Sequence, residues 1–301
     1  MSILRGRKLI SFDWAMKKML RSKANFDILE GFLSELLVED IKILEILESE
    51  SNKENKDDKY NRVDLLVKNS KDEMIIIEVQ YDYEYDFMLR MLYGTSKIIT
   101  DHMKSGNSYS DIKKVISINI VYFDLGQGED YVYKGTTNFI GLHKRDELKL
   151  TPAQKKKLKK ESVYELYPEY YLLKINNFDD LAKNTLDEWI YFLKNEEIKP
   201  EFKAKGLKEA KEKLNIMKLS DDELRSYNRH LDNLHYAASM AESAKVKVDE
   251  DIWKQGIEKG REEGKLEGKV EIARNLLKNG VSLDIVKSST GLTDEEIKSL
   301  S

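Results

Sequence analysis

The chain of 301 residues contains no cysteine. That excludes a disulfide framework and any thiolate metal site, and it fits a reducing compartment, so a cytoplasmic location is expected. Long apolar runs are missing as well. No stretch approaches the roughly 20 consecutive apolar residues that a membrane span needs. The opening residues, Met1 to Lys8, are basic, but no apolar run of signal-peptide length follows them. Proline is scarce, and Pro168 and Pro200 mark breaks. His230 and His235 stand five apart, off the i,i+4 spacing of a helical metal pair. Nor is there a surplus of positive charge: 51 Lys and Arg against 55 Asp and Glu leave a net charge of −4. Any binding of nucleic acid must therefore rest on local patches rather than on a global field.

What the chain does have is a pair of β-branched segments, Tyr60 to Val67 and Met74 to Gln80, each with an acid inside it. Both read as strands with a buried face. The polar run between them, Asn69-Ser70-Lys71-Asp72-Glu73, suits a hairpin turn. A hairpin centred on Lys71 sets Asp64 opposite Glu78 and Arg62 opposite Gln80. Opposed side chains have Cβ atoms roughly 4.5–5.5 Å apart, and like charges that close repel. A carboxylate in such a strand must be paired, protonated or bound to a cation. A divalent metal is the economical answer, because hard cations such as Mg²⁺ take carboxylate oxygens and keep several waters. By period two, Ile76, Glu78 and Gln80 share a face, so the acid and the amide point into one site.

Asp64 followed by Glu78-Val79-Gln80 on the next strand resembles the signature of PD-(D/E)XK nucleases in its E-x-Q variant, and more narrowly the recombination-promoting nuclease (Rpn) family. The likeness includes Phe12-Asp13 with Lys17, Phe32 to Leu37, Arg90-Met91-Leu92-Tyr93, Ser96-Lys97, the repeated glycines of the tail and Thr290-Gly291-Leu292-Thr293. The resemblance implies an α/β fold: a restriction-endonuclease-like core with a mixed four- to five-stranded sheet flanked by helices, plus a helical C-terminal extension. It implies a Mg²⁺-dependent DNA endonuclease, linked to recombination or mobile elements, with Mn²⁺ able to substitute. Asp64 and Glu78 would hold the metal, with the Val79 carbonyl completing the set. Gln80 stands where many relatives have Lys. An amide supplies neither positive charge nor a base, but it can orient water. The alternative is a weak or inactive nuclease-like scaffold that binds DNA or protein through its tail.

Positive charge is expected from the helix after the acidic strand, where Arg90, Tyr93 and Lys97 can share one face. Glu35 sits at the edge of the apolar stripe Phe26, Leu29, Phe32, Leu33, Leu36. It is either a first-helix acid that reaches the metal or an ordinary rim carboxylate.

The rest of the chain supplies the frame. Two helices are expected between Phe12 and Val38, a strand over Ile41 to Leu47, a helix over Phe87 to Met103 with Met88, Leu92, Ile99 and Met103 inward, and strands over Lys114 to Phe123 and Tyr131 to Ile140. The core is expected over residues 1–150, a mainly helical extension over 151–248, and a charged tail over 249–301. In the extension, Lys155 to Lys160 is a basic run that reads as a solvated helix face or a phosphate contact. In the tail, Gly256, Gly260, Gly264 and Gly268 recur every four residues, which reads either as a self-association helix, and so a homo-oligomer, or as a weak, frayed helix. Ile272 to Leu300 reads as helix, turn, helix, with Gly280 as a C-cap and Thr293 as an N-cap.

Overall fold

The computed structural model describes residues 9–20, 22–47, 64–103, 106 and 108–299. Arg62, the rest of Tyr60 to Val63, and the side chain of Lys17 lie outside the described residues. The described chain forms α1 (Phe12–Lys18), α2 (Phe26–Leu37), β1 (Ile43–Leu47), β2 (Leu65–Asn69), β3 (Met74–Gln80), α3 (Phe87–Asp101), β4 (Val115–Val121), β5 (Val132–Gly135), α4 (Pro152–Leu158) and β6 (Glu169–Lys174). It continues as α5 (Thr185–Asn195), α6 (Leu207–Lys213), α7 (Asp221–Lys278), α8 (Leu283–Thr290) and α9 (Asp294–Lys298).

One mixed sheet has the order β1-β2-β3-β4-β6-β5. β1, β2 and β3 are antiparallel, β3, β4 and β6 run parallel, and β5 closes the far edge antiparallel to β6. The sheet has six strands rather than four or five. The additional central strand is β6, which follows Pro168 and begins beyond the expected core boundary at residue 150. Residues 1–235 form one compact unit and 236–301 a second. The expected division at 150 therefore falls inside the unit that carries the sheet.

The β2–β3 hairpin follows from local chemistry. Asn69 Oδ1 accepts from Lys71 N at 3.0 Å and Glu73 N at 2.9 Å, which closes the turn around Lys71. The pairs Leu65–Ile77, Leu66–Ile76, Val67–Ile75 and Lys68–Met74 all have Lys71 at their centre. Asp64 immediately precedes this ladder and continues the register to Glu78. Period two then sorts the strands into two faces. Leu65, Val67, Ile75, Ile77, Val79, Ile116, Ile118, Ile120 and Leu173 join the large core with Phe12, Phe32, Trp189 and Phe192 from α1, α2 and α5. Each such side chain removed from water contributes about 1.5–3 kcal/mol.

The other face carries α3. Leu66, Met74, Ile76 and Val115 pack there against Ile98 and Ile99, while Val121 packs with Phe87 and Met91. The expected inward face of α3 is corrected in the first half of the helix, while Ile99 packs inward as expected. Met88 and Leu92 are exposed, whereas Phe87, Met91, Gly94 and Thr95 are buried. The helical period was legible, but its phase depends on where the sheet lies.

In the second unit, Ala273, Val286, Leu292 and Ile297 form a small core across the end of α7, α8 and α9. Gly280, at φ 75°, ends α7, and Thr293 caps α9 in a reciprocal pair with Glu296. The four tail glycines face open space in this chain, with nothing within 4 Å of an added Cβ. Among the described residues, no helix is long and apolar enough to cross a membrane.

Candidate active site

The site lies on the α3 face of the sheet, at the C-terminal end of β3. Glu78 is 5% exposed, preceded in β3 by Met74 and three isoleucines and followed by Val79 and Gln80. Asp64 stands beside it. One oxygen of the Asp64 carboxylate accepts the Val79 N–H at 2.8 Å, which fixes the acid against the end of β3.

Arg90, one turn into α3, donates through Nη2 to Glu78 Oε1 and through Nη1 to Glu84 Oε1 at 2.6 Å. Gln80 Nε2 donates to the same Glu84 oxygen at 3.0 Å. Glu84 thus holds both the amide and the guanidinium. It lies in the turn between β3 and α3, within a run of alternating rings and acids, Tyr81-Asp82-Tyr83-Glu84-Tyr85-Asp86. Those rings do pack: Tyr81 stacks on Tyr122 at 4.2 Å, and Tyr83 meets the edge of Phe123 at 5.5 Å.

Burial dominates the electrostatics. It pushes the Glu78 carboxyl from 4.5 up to about 7; the Arg90 guanidinium opposes the shift, and the negative charges of Asp64 and Glu84 add to it. An ionised Glu78 is therefore held at a free-energy cost, and a cation at this point relieves it.

Asn119 was missed by reading along the chain. In the parallel register it lies directly beside Glu78, and it is fully buried. Its Nδ2 donates to Ser117 Oγ at 2.9 Å and to the Tyr171 carbonyl at 3.3 Å, while its Oδ1 has no hydrogen-bond partner among the described residues. Arg90 Nε is likewise buried and unpartnered among them. The available signal was an amide inside the apolar run Val-Ile-Ser-Ile-Asn-Ile-Val, a position with no packing reason for a polar group.

Of the α3 residues expected to supply charge, Arg90 reaches Glu78. Tyr93 is half exposed, and Lys97 lies 3.8 Å from Asp101 on its own helix. Glu35 is used otherwise: Oε2 accepts from Thr185 Oγ1 at 2.6 Å and Oε1 from Lys205 N at 3.0 Å, which ties α2 to the segments around α5. Both oxygens are engaged there, as a structural carboxylate requires. His230 lies 3.2 Å from the buried Asp13.

Among the described residues, no three acids or histidines converge into a metal-holding group. Mg²⁺ does not need one, since it binds through one or two carboxylates and keeps its waters. Asp64, Glu78 and the orphaned Asn119 oxygen are all hard oxygen donors or acceptors of water, so the residues present fit such an ion.

An antiparallel hairpin that delivers two acids beside a parallel crossover, with α3 covering them, defines the PD-(D/E)XK nuclease core. Residues 10–244 match the model of the PD-(D/E)XK nuclease family transposase, and the chain belongs to that family. Residues 266–301 match the C-terminal HTH domain of the Rpn/YhgA-like nuclease family. No curated protein and no solved structure matches the chain.

Proposed function

We propose that the protein is a Mg²⁺-dependent DNA endonuclease that hydrolyses phosphodiester bonds, with Asp64 and Glu78 as its metal-holding pair. The observation that carries this reading is the hairpin register, which sets the two acids side by side while burial raises Glu78 to about 7. The Val79 carbonyl is the third ligand in this proposal. When bound, the ion would polarise the scissile phosphate, lower the pKa of the attacking water and stabilise the leaving oxygen.

The chain's own residues do the positioning. Val79 N–H holds Asp64 in place. Arg90 pairs with Glu78 and, anchored by Glu84, keeps its positive charge beside the acids where a phosphate would enter. Gln80 cannot act as a base at neutral pH, so its role is to orient water through its amide. The HTH domain is the second contact with DNA, and strand transfer plays no part in this proposal.

A specific observation favours the second reading, a weak or inactive scaffold. Arg90 occupies an oxygen of Glu78 that a metal would take, and Gln80 stands where many relatives carry Lys. The test is a nicking assay on supercoiled plasmid in Mg²⁺ and Mn²⁺, with Asp64→Asn and Glu78→Gln alongside wild type. Loss of nicking in both variants is expected. Equal nicking by all three preparations refutes the assignment of the acids, and no nicking by wild type supports the scaffold.

A further inference from the structure

A cavity of about 570 Å³ opens at the other end of the parallel strands. Its lining includes Ser108, Tyr109, Lys114, Lys157, Lys160 and Tyr167. Lys114 lies level with the residue before β3, and Glu78 lies five residues further along, so roughly 16 Å of strand separates the two sites at 3.3 Å per residue. The volume falls within the range of small-ligand sites, roughly 300–1,000 Å³.

The lining has a definite chemistry. Three lysines face one acid, Glu165, and that carboxylate already accepts from Ser162 N at 2.9 Å and Glu161 N at 3.2 Å. Lys114 forms the buried base. It pairs with Glu169, an acid that also serves Lys134 at 3.2 Å, so two cations share one carboxylate. Lys160 lies 3.3 Å from Glu73. Lys157 is exposed and has no ion-pair partner among the described residues. Of the charged residues that line the cavity three are lysines and one is an acid, with Lys114 and Lys160 each paired to a carboxylate behind the wall. Between these cations stand apolar walls, Ile112, Leu158 and Leu166, and the rings of Tyr109 and Tyr167. Tyr109 is 88% exposed, with a free face. Lysines and hydroxyls suit phosphate oxygens, whereas an exposed ring suits a planar base. An acidic peptide would use the lysines but leave the rings without a planar partner.

We propose that this cavity binds a nucleoside phosphate, either a free nucleotide or the 5′-phosphorylated terminal nucleotide of a DNA strand. Lys157 and Lys160 hold the phosphate, and Tyr109 stacks on the base. The proposal does not rest on hydrolysis at Glu78, and binding is tested apart from it. Full-length protein is titrated calorimetrically in EDTA with dAMP, with tetradeoxyadenylate carrying a 5′-phosphate or a 5′-hydroxyl, with adenosine, and with a tetraglutamate peptide. Binding of a phosphorylated ligand is expected to weaken at least tenfold in Lys157→Glu and in Tyr109→Ala. It should hold in Lys211→Glu, a charge reversal on the exposed side of α6. Equal binding of dAMP and the 5′-phosphorylated strand identifies the free nucleotide as sufficient; binding of the phosphorylated strand alone identifies a strand end, and both outcomes support the proposal. It is overturned if no phosphorylated ligand binds wild type, if adenosine, the 5′-hydroxyl strand or tetraglutamate binds as tightly, or if Lys211→Glu loses as much affinity as Lys157→Glu.

Discussion

Glu78 should make the protein less stable as pH rises, and Glu78→Gln should abolish that dependence. In the unfolded chain the carboxyl titrates near 4.5, and in the folded protein near 7. Between these values the folded state binds more protons than the unfolded one, so stability falls with rising pH, and the penalty is complete above pH 7. A displacement of this size corresponds to about 3 kcal/mol, and the group is buried enough for most of it to be felt. Removing the charge also deprives Arg90 of a partner, at a cost of about 1–3 kcal/mol that does not vary over this range. The informative quantity is therefore the change with pH, not the stability at one pH. Urea unfolding of wild type and Glu78→Gln between pH 4.5 and 8 measures it, with the fluorescence of buried Trp14 and Trp189 reporting on the sheet-bearing unit. Wild type should lose about 3 kcal/mol relative to the variant across this window. Mg²⁺, by binding the ionised form, should stabilise wild type at pH 8 and not at pH 4.5, and should have no such effect on Glu78→Gln. Parallel pH profiles for the two proteins would refute the claim that burial of this carboxylate governs the site.

Arg90→Ala leaves Glu78 buried without its cation and should destabilise the fold by about 3 kcal/mol above pH 7, with less loss near pH 5 where Glu78 is protonated; a uniform loss at both values would count against the pairing. Gln80→Lys should change the rate of plasmid nicking while preserving the Mg²⁺-induced rise in the unfolding midpoint, and disappearance of that rise would show that Gln80 does more than orient water. At Gly31 an added Cβ would meet the Lys205 carbonyl oxygen at 2.3 Å, so Gly31→Ala should lower stability by about 3 kcal/mol, measured by thermal unfolding. Removal of residues 249–301 tests self-association of the tail by sizing chromatography. A fall in apparent mass larger than the deleted segment is expected, and a fall matching the segment alone rejects the idea.

The acidic hairpin was legible because its determinants are local. A polar turn centred on Lys71 and two β-branched flanks fix both the strands and their register, and period two then decides which acids meet. The two N-terminal helices and the limits of β3 followed from the same kind of pattern. β6 escaped because Glu169 to Lys174 carries no strong alternation and its partners, β4 and the edge strand β5, lie some thirty-five to fifty residues earlier. α3 was visible as a helix, yet the inward face of its first half was misjudged by one position, because Met88 and Leu92 are as apolar as Phe87 and Met91.

The sequence by itself therefore determined the hairpin and the register that sets Asp64 level with Glu78, since these depend on residues within one hairpin. The tertiary structure decided who surrounds that pair. Docking α3 on the sheet selects Arg90 rather than Lys97 as the neutralising cation, and the turn before α3 brings in Glu84 as its anchor. The parallel pairing of β4 sets Asn119 beside Glu78, while the contacts between α2 and the residues near α5 take Glu35 for structure. Each of these outcomes depends on contacts between elements that no spacing along the chain encodes.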